Sequence, residues 1–530
     1  MKRYLWLAPA VALSLVMRSP LAHAASPPIR PACDTRAILR AARTAAGGDR
    51  WDTVGELSAD GSVTALGLDG RALIRDDVVD GRNLHRFDIA AMGTMERVYD
   101  GRTMWVQDIS GGVHPLDSTF ARQDAVTAAY LARRGYFKPS DGVRLRCLGT
   151  HLQNGRRLQI VRVTPPGGRP ADLGIDPSTH LLVSVAERRS ITTSLTTYAD
   201  YRQDKGLVLP FLISSGTLFE PADGFVMHVR TYRISASVKA NDFVKPQPTD
   251  VVRMLNGAHA TTVPIVLDRQ QLLVWASIDG HAPMPFILDT GGHAILTTGA
   301  AQKLGLRGYG AGVSGGSGAG TIATAYARVA SMRIGDAELR NQHFLVINYP
   351  PSFYARGRRA PLAGILGLEI FERFAVRIDY GGRRLTLTPS STFRYNGKGA
   401  RVPLTFEGDT PLAAGAVDGH SGTFGVDTGN SGMLILYGHW LARTSLRARY
   451  PHGIAAKGFG TGGSDSGYIR RIRTFSFGGR KFHNVAAMFT NMKSGAFSSF
   501  TEAGDLGYDV LSRFIPTFDY ANQTLYLAPR

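Results

Sequence analysis

The sequence predicts a mainly β chain: two homologous lobes, preceded by a curved antiparallel sheet with one or two helices. Three observations predict it. An apolar strand ending in Asp-Thr-Gly occurs twice, as Phe286-Ile287-Leu288-Asp289-Thr290-Gly291 and as Phe424-Gly425-Val426-Asp427-Thr428-Gly429, with the aspartates 138 positions apart. A matching series follows each copy: Ile365-Leu366-Gly367, Phe374 and Ile378-Asp379-Tyr380 after the first, then Asp505-Leu506-Gly507, Phe514 and Phe518-Asp519-Tyr520 after the second. The step from Gly367 to Asp379 equals that from Gly507 to Asp519, so one unit has been duplicated. Upstream of both, apolar and polar residues alternate in runs bounded by turn residues, the period of half-buried strands.

The elements follow in chain order. Lys2 and Arg3, an apolar run over 5–17 and then Ala22-His23-Ala24 read as a secretory signal peptide over 1–24, which addresses the chain to the periplasm or the medium. Arg18 and Pro20 interrupt that run, and no later stretch approaches the roughly 20 apolar residues needed to cross a bilayer. Residues 26–238 are expected to form a β-rich domain. Asp34 caps a helix over 37–46, a second helix fits 121–134, and strands are expected around 57–74, 83–89, 96–108, 158–164, 181–187 and 226–234. Cys33 and Cys147 are the only two cysteines in the chain; they form one bridge or remain two buried thiols. Pro246 and Pro248 mark a linker over 239–258. The first lobe then spans 259–389, a connector 390–401 and the second lobe 402–530, each lobe with its own core.

With 530 residues there is chain enough for two or three domains. The formal charge of +19 is carried mostly by scattered arginines and reads as a solvated basic surface, with an anionic membrane or acidic partner as the sharper alternative. The runs 356–359 and 470–473 lack interleaved aromatics, so nucleic acid is not expected as a partner.

Two carboxylates presented alike suggest acid–base chemistry. Like charges a few ångström apart cannot both ionise, so Asp289 and Asp427 would share one proton and supply a base and an acid at once. Gly291 and Gly429 would let the two backbones approach closely. Other motifs fail on context. Gly310, Gly312 and Gly315 satisfy GxGxxG, and Gly312, Ser314 and Gly316 satisfy GxSxG, but no strand-to-helix transition surrounds them. Both belong to a glycine-rich stretch over 308–320, matched by a second over 458–467. His293 has no companion ligand pattern and is expected to face outward.

Residues 262–530 resemble the pepsin-like and retropepsin-like aspartic proteases, in which each lobe offers Asp-Thr/Ser-Gly and a later apolar-apolar-Gly strand threads behind it. The resemblance implies Asp289 and Asp427 as catalytic residues, supported by Thr290, Gly291, Thr428 and Gly429, with the threonines hydrogen-bonding across the lobes. It also implies that the glycine-rich stretches are flaps, with Tyr309 and Tyr326 as candidates for a flap tyrosine. Three positions depart from the pattern: Gly292 and Asn430 stand where a hydroxyl is common, and Asp505 stands where the first copy has Ile365.

The N-terminal region resembles the half-barrels of outer-membrane lipoprotein carriers. Trp51 follows Gly47-Gly48, Asp176-Pro177 opens a turn, and Tyr198, Asp200 and Tyr201 lead to Gly206 and Pro210-Phe211. The expected function is an exported aspartic endopeptidase, monomeric because both tripeptides lie in one chain, acting on a peptide or protein with no metal or organic cofactor. The alternative is a lipid- or lipopeptide-binding protein on an inactive protease-like scaffold, and a prosegment is a third role for the N-terminal region.

Overall fold

The computed structural model describes residues 33–153, 155–217, 224–249 and 251–530, and the expected signal peptide lies outside them. Among the described residues the strands form four sheets, so the fold is mainly β as the alternation predicts.

Residues 56–235 make a sheet of thirteen strands that leaves Val113–Leu116 and Arg144–Gln153 as its two edges. Strand Glu56–Ala65 pairs with Phe225–Ser235 and so brings the start and end of the domain together. The segment 57–74, expected as one strand, is a hairpin of Glu56–Ala65 and Leu68–Asp77. Leu66 (φ 54°) and Gly67 (φ 70°) make its two-residue left-handed turn, across which the alternation continues and conceals the break. The segment 96–108 likewise divides into Gly93–Tyr99 and Met104–Gln107, where the Asp100 carboxylate accepts from the backbone N–H of Arg102 and Thr103.

Helix Thr35–Ala45 starts at Asp34, whose Oδ1 accepts from Ala37 N at 3.0 Å, and it buries Leu39 and Ala42 against the sheet's core. Helix Thr119–Ala132 is capped in the same way by Ser118. A disulfide joins Cys33, just ahead of the first helix, to Cys147 on strand Arg144–Gln153.

The linker is not a free tether. Phe243 is buried against Leu84 and Val98, and Thr249 N donates to Gly111 O at 2.9 Å. Strand Val252–Met254 already belongs to the first lobe, pairing with Ala337–Ile347. The prolines set extended backbone, but the apolar residues between and after them decide its fate by burial.

Nor does each lobe keep a core to itself. Phe374–Asp379 pairs antiparallel with Phe514–Asp519 through Val376 and Phe518, at the centre of a six-stranded sheet built from both lobes. Phe371 meets Phe518 and Tyr520 across it, with ring centroids 5.3 and 5.5 Å apart, and one apolar cluster runs through both halves. The repeated Phe and Ile-Asp-Tyr positions therefore build the joint that fixes one lobe on the other.

Candidate active site

Each Asp-Thr-Gly loop is delivered by a buried strand. Met284–Leu288 runs parallel to Gly364–Leu366, and His420–Val426 runs parallel to Gly504–Leu506. Burying Phe286 and Phe424 completely contributes about 1.5–3 kcal/mol each, which ties the two Asp-Thr-Gly loops to the core. The chain then turns the same way twice. Asp289 N donates to Leu366 O at 2.9 Å and Asp427 N to Leu506 O at 3.1 Å. Gly291 N donates to Asp289 Oδ1 at 2.8 Å and Gly429 N to Asp427 Oδ1 at 2.7 Å.

The threonines cross between the lobes. Thr290 N donates to Thr428 Oγ1 at 3.0 Å, and Thr428 N donates to Thr290 Oγ1 at 2.9 Å. The hydroxyls in turn donate to backbone carbonyls, Thr290 Oγ1 to Val426 O at 2.5 Å and Thr428 Oγ1 to Leu288 O at 2.8 Å. Both side chains are buried, so each needs those partners. The fit is tight enough to demand glycine: a Cβ on Gly429 would lie 2.3 Å from Asp289 Cγ, and one on Gly367 would lie 1.9 Å from Gly292 O.

The structure thus brings Asp289 and Asp427 together as a hydrogen-bonded carboxyl pair. Burial raises Asp289, against the hydrogen bonds it accepts from Asp427 and Gly291 N. Burial raises Asp427 further, reinforced by the charges of Asp289 and Asp505. The pair holds one proton well above the ordinary carboxylate range, and that proton belongs to the pair.

Asn430 and Asp505, two of the departures, meet. Asn430 Nδ2 donates to Asp505 Oδ1 at 2.7 Å, its N–H donates to Asp427 Oδ1 at 3.1 Å, and its Oδ1 accepts from Gly432 N at 2.9 Å. The polar residue behind the second loop is therefore satisfied by the amide beside it. Burial raises Asp505 to about 7 against the Asn430 hydrogen bond.

His293 does not face outward without partners. Its Nδ1 lies 3.1 Å from Glu369 Oε1 and its Nε2 3.0 Å from Asp409 Oδ2, while Glu369 Oε2 also accepts from Ala294 N. Glu369 and Asp409 lie 76 and 116 positions away, which is why no local pattern announces them.

The glycine-rich stretches are the tips of two hairpins. Tyr309–Ser314 pairs with Ile322–Ile334, and Ile454–Gly460 pairs with Gly463–Phe477. The tips bind each other: Gly318 N donates to Thr461 O and Gly320 N to Gly462 O, both at 2.9 Å. Tyr309 and Tyr326 serve neither tip. Tyr326 is buried in the core of the N-terminal sheet, and Tyr309 packs against that core with its hydroxyl 2.8 Å from His343 Nδ1. Tyr349, within reach of the Asp289 charge, has its hydroxyl 2.6 Å from Thr461 Oγ1; burial and the Asp289 charge raise it, to about 12.

Residues 274–370 match the family described as aspartyl protease. A retropepsin-like aspartic protease from Rickettsia conorii is 24% identical, over 24% of this chain and 91% of that one, with a TM-score of 0.17. A LolA superfamily protein from Nitrosomonas europaea is 12% identical, over 40% of this chain and 99% of that one, with a TM-score of 0.27. A domain assigned to outer membrane lipoprotein sorting from Vibrio parahaemolyticus is 14% identical, over 39% and 95% of the two chains, with a TM-score of 0.27. No curated protein matches the chain.

Proposed function

We propose that the chain is an exported aspartic endopeptidase in which Asp289 and Asp427 activate one water. The observation that carries this reading is the reciprocal Thr290–Thr428 lattice, which holds two half-buried carboxyls close together and so favours a shared proton. The ionised carboxylate takes a proton from water as the water oxygen attacks the peptide carbonyl carbon. The protonated carboxyl gives its proton to the carbonyl oxygen. A neutral tetrahedral diol forms; in its collapse the carboxyl that is now protonated gives its proton to the leaving nitrogen, the other carboxylate takes a proton from a diol hydroxyl, the C–N bond breaks and the C=O re-forms. The pair ends as it began, with one proton. The hairpin strands flanking the cleft offer backbone hydrogen bonds to an extended peptide.

Both lobes lie in one chain, which supports action as a monomer, and the signal peptide expected over 1–24 supports a periplasmic or secreted location. Asp289→Asn and Asp427→Asn are each expected to abolish peptide cleavage with the fold intact. Cleavage unchanged in either variant would overturn the assignment.

A second reading is a lipid- or lipopeptide-binding protein with a silent protease scaffold. A cavity of about 780 Å³ inside the N-terminal sheet favours it. Lipid that co-purifies with an inactive chain would select this reading over the first.

A further inference from the structure

Between 438 and 493 the second lobe carries ten lysines and arginines against one acid, Asp465, so about a tenth of the chain holds nearly half of its net charge of +19. The framework of this stretch is the hairpin of Ile454–Gly460 and Gly463–Phe477, which stands closed on the first-lobe hairpin at its tip. Ile454–Gly460 is the outer strand of its sheet. The register sorts the side chains. Ala455 lies opposite Tyr468, Lys457 opposite Ser466 and Phe459 opposite Ser464, and Arg470 stands two positions after Tyr468, so Lys457, Phe459, Tyr468 and Arg470 share one face. Asp465 lies opposite Gly458 on the other face, where it is buried and accepts from Gly458 N at 2.7 Å. That other face is covered, with Ala456 packed on the cluster of Ile435, Tyr437 and Met488.

The shared face joins exposed rings to unpaired cations. Phe459 is 51% exposed and Tyr468 39%. A lone exposed ring needs no explanation, but two beside an uncompensated guanidinium do. Arg470 is only 8% exposed and lies over the Tyr468 and Phe489 rings, 5.2 and 4.8 Å from their centroids, yet its buried Nε and Nη1 have no hydrogen-bond partner. Burial and the like charge of Arg447 pull it down, with Tyr468 opposing. Arg447 gives two of its own donors to Asn491 Oδ1 at 2.9 Å and Thr490 O at 2.7 Å. Arg449 meets Asp418 at 3.8 Å, whereas Arg447, Lys457 and Arg470 are in no ion pair among the described residues. Two guanidiniums without an acid are matched by one anion, and the rings beside them by an apolar layer. A lipid leaflet offers both, phosphates at its surface and chains beneath, where an acidic polypeptide offers the first alone.

We propose that this face docks the protein on an anionic lipid bilayer, with a lipid phosphate between Arg447 and Arg470 and the rings of Phe459 and Tyr468 seated at the headgroup level. Lys457 and the rest of the basic stretch add a long-range attraction that salt screens. The docking rests on this face alone and stands whether or not the acid pair cleaves peptides.

The test measures partition of the mature chain onto sedimented vesicles of phosphatidylcholine, alone or mixed with phosphatidylglycerol. The mixed vesicles are expected to bind at least about ten-fold more tightly than the neutral ones. Phe459→Ser is expected to weaken that binding about ten-fold and Arg447→Gln about five-fold, while Lys303→Gln, which removes an exposed charge on the first lobe, leaves it unchanged. Arg470→Gln is expected to lose as much as Arg447→Gln. Equal binding to both vesicles, a loss in Lys303→Gln as large as in Arg447→Gln, or full binding retained by Phe459→Ser would each overturn the proposal. Capture of soluble polyglutamate as tight as that of the mixed vesicles and undiminished in Phe459→Ser would overturn it in favour of an acidic polypeptide. The surface variants decide the matter even where Arg470→Gln does not fold.

Discussion

Asp505 is the residue that most changes the chemistry of the pair. Its charge is one of the influences that raise Asp427, so removing it lowers the pair's upper titration. In Asp505→Leu, the alkaline limb of the kcat/KM profile is expected to move to lower pH, as a pH series on wild type and variant will read. Stability follows with its own sign. Asp505 is raised from 3.8 to about 7, so its contribution is fully present below the unfolded value and lost as pH rises through the folded one. Asp505→Asn is therefore expected to raise Tm at about pH 8 and give no gain at about pH 4, measured by thermal melts. Thr290→Ala leaves Thr428 N and Val426 O without partners in a buried site, at a cost of about 1–3 kcal/mol. Thr290→Ser should restore most of that loss in a denaturant melt. The aspartates, threonines and glycines of the site could be read from the sequence because they are contiguous and repeated. The Asn430–Asp505 pair could not: 75 positions separate the two residues, and each taken singly looks like a defect.

At the scale of elements, the closed hairpin depends on glycine at its tip. A Cβ on Gly318 would lie 2.3 Å from the backbone of Gly462 and Gly463, so Gly318→Ala cannot keep the tip contact without displacement. Faster amide exchange over 309–334 and a raised KM for peptide are expected, with kcat less affected. The repeated apolar strands were legible because full burial on both faces leaves an unbroken apolar run. Strands 83–89, 156–164, 182–188 and 225–235 of the N-terminal sheet stand where the alternation predicts them, whereas the hairpins within 57–74 and 96–108 were legible only as longer strands. A two-residue turn at Leu66 and Gly67 interrupts neither composition nor period, the strands 144–153 and 193–204 are too mixed in polarity to stand out, and the apolar run of 207–217 is interrupted by Pro210. The resemblance offers Tyr309 and Tyr326 as candidates for a flap tyrosine, but Tyr326 faces a core that lies in part 269 and 267 positions earlier, at Leu57 and Ala59.

The whole molecule is joined by a run of alternating charges. His114, buried on the N-terminal sheet, has Nδ1 2.9 Å from Glu372 Oε1 and Nε2 3.4 Å from Asp409 Oδ1; Asp409 then meets His293 beside the first Asp-Thr-Gly loop. Burial pulls His114 down, but the carboxylates of Asp409 and Glu372 outweigh it and hold it at about 10. Burial likewise opposes protonation of His293, and Asp409 and Glu369 raise it well above the ordinary range. Asp409 is lowered, with burial outweighed by the two histidines. Raised histidines contribute stability that is complete below their unfolded value of 6.5 and lost as pH rises through their folded values, about 10 for His114. The lowered carboxylate contributes above 3.8 and is lost as pH falls through its folded value. Burial, with the Asp108 charge, raises Glu372 to about 7, so its carboxylate is charged only toward neutral pH and above. The joint is thus expected to be tightest near neutral pH and to loosen toward pH 10, as small-angle scattering of the chain across that range will report. Asp409→Asn should loosen it at neutral pH. No part of this joint was legible in the sequence, since its members come from three regions and only folding brings them together.

The central claim is that Asp289 and Asp427 form a working acid pair. The most direct measurement is digestion of a diverse peptide mixture by the mature chain from acidic to neutral pH, with and without pepstatin, followed by sequencing of the products. Pepstatin-sensitive cuts between apolar residues, absent in Asp289→Asn, are the predicted result. A folded chain that leaves the mixture intact at every pH, or that cuts it equally well as Asp289→Asn, would contradict the account.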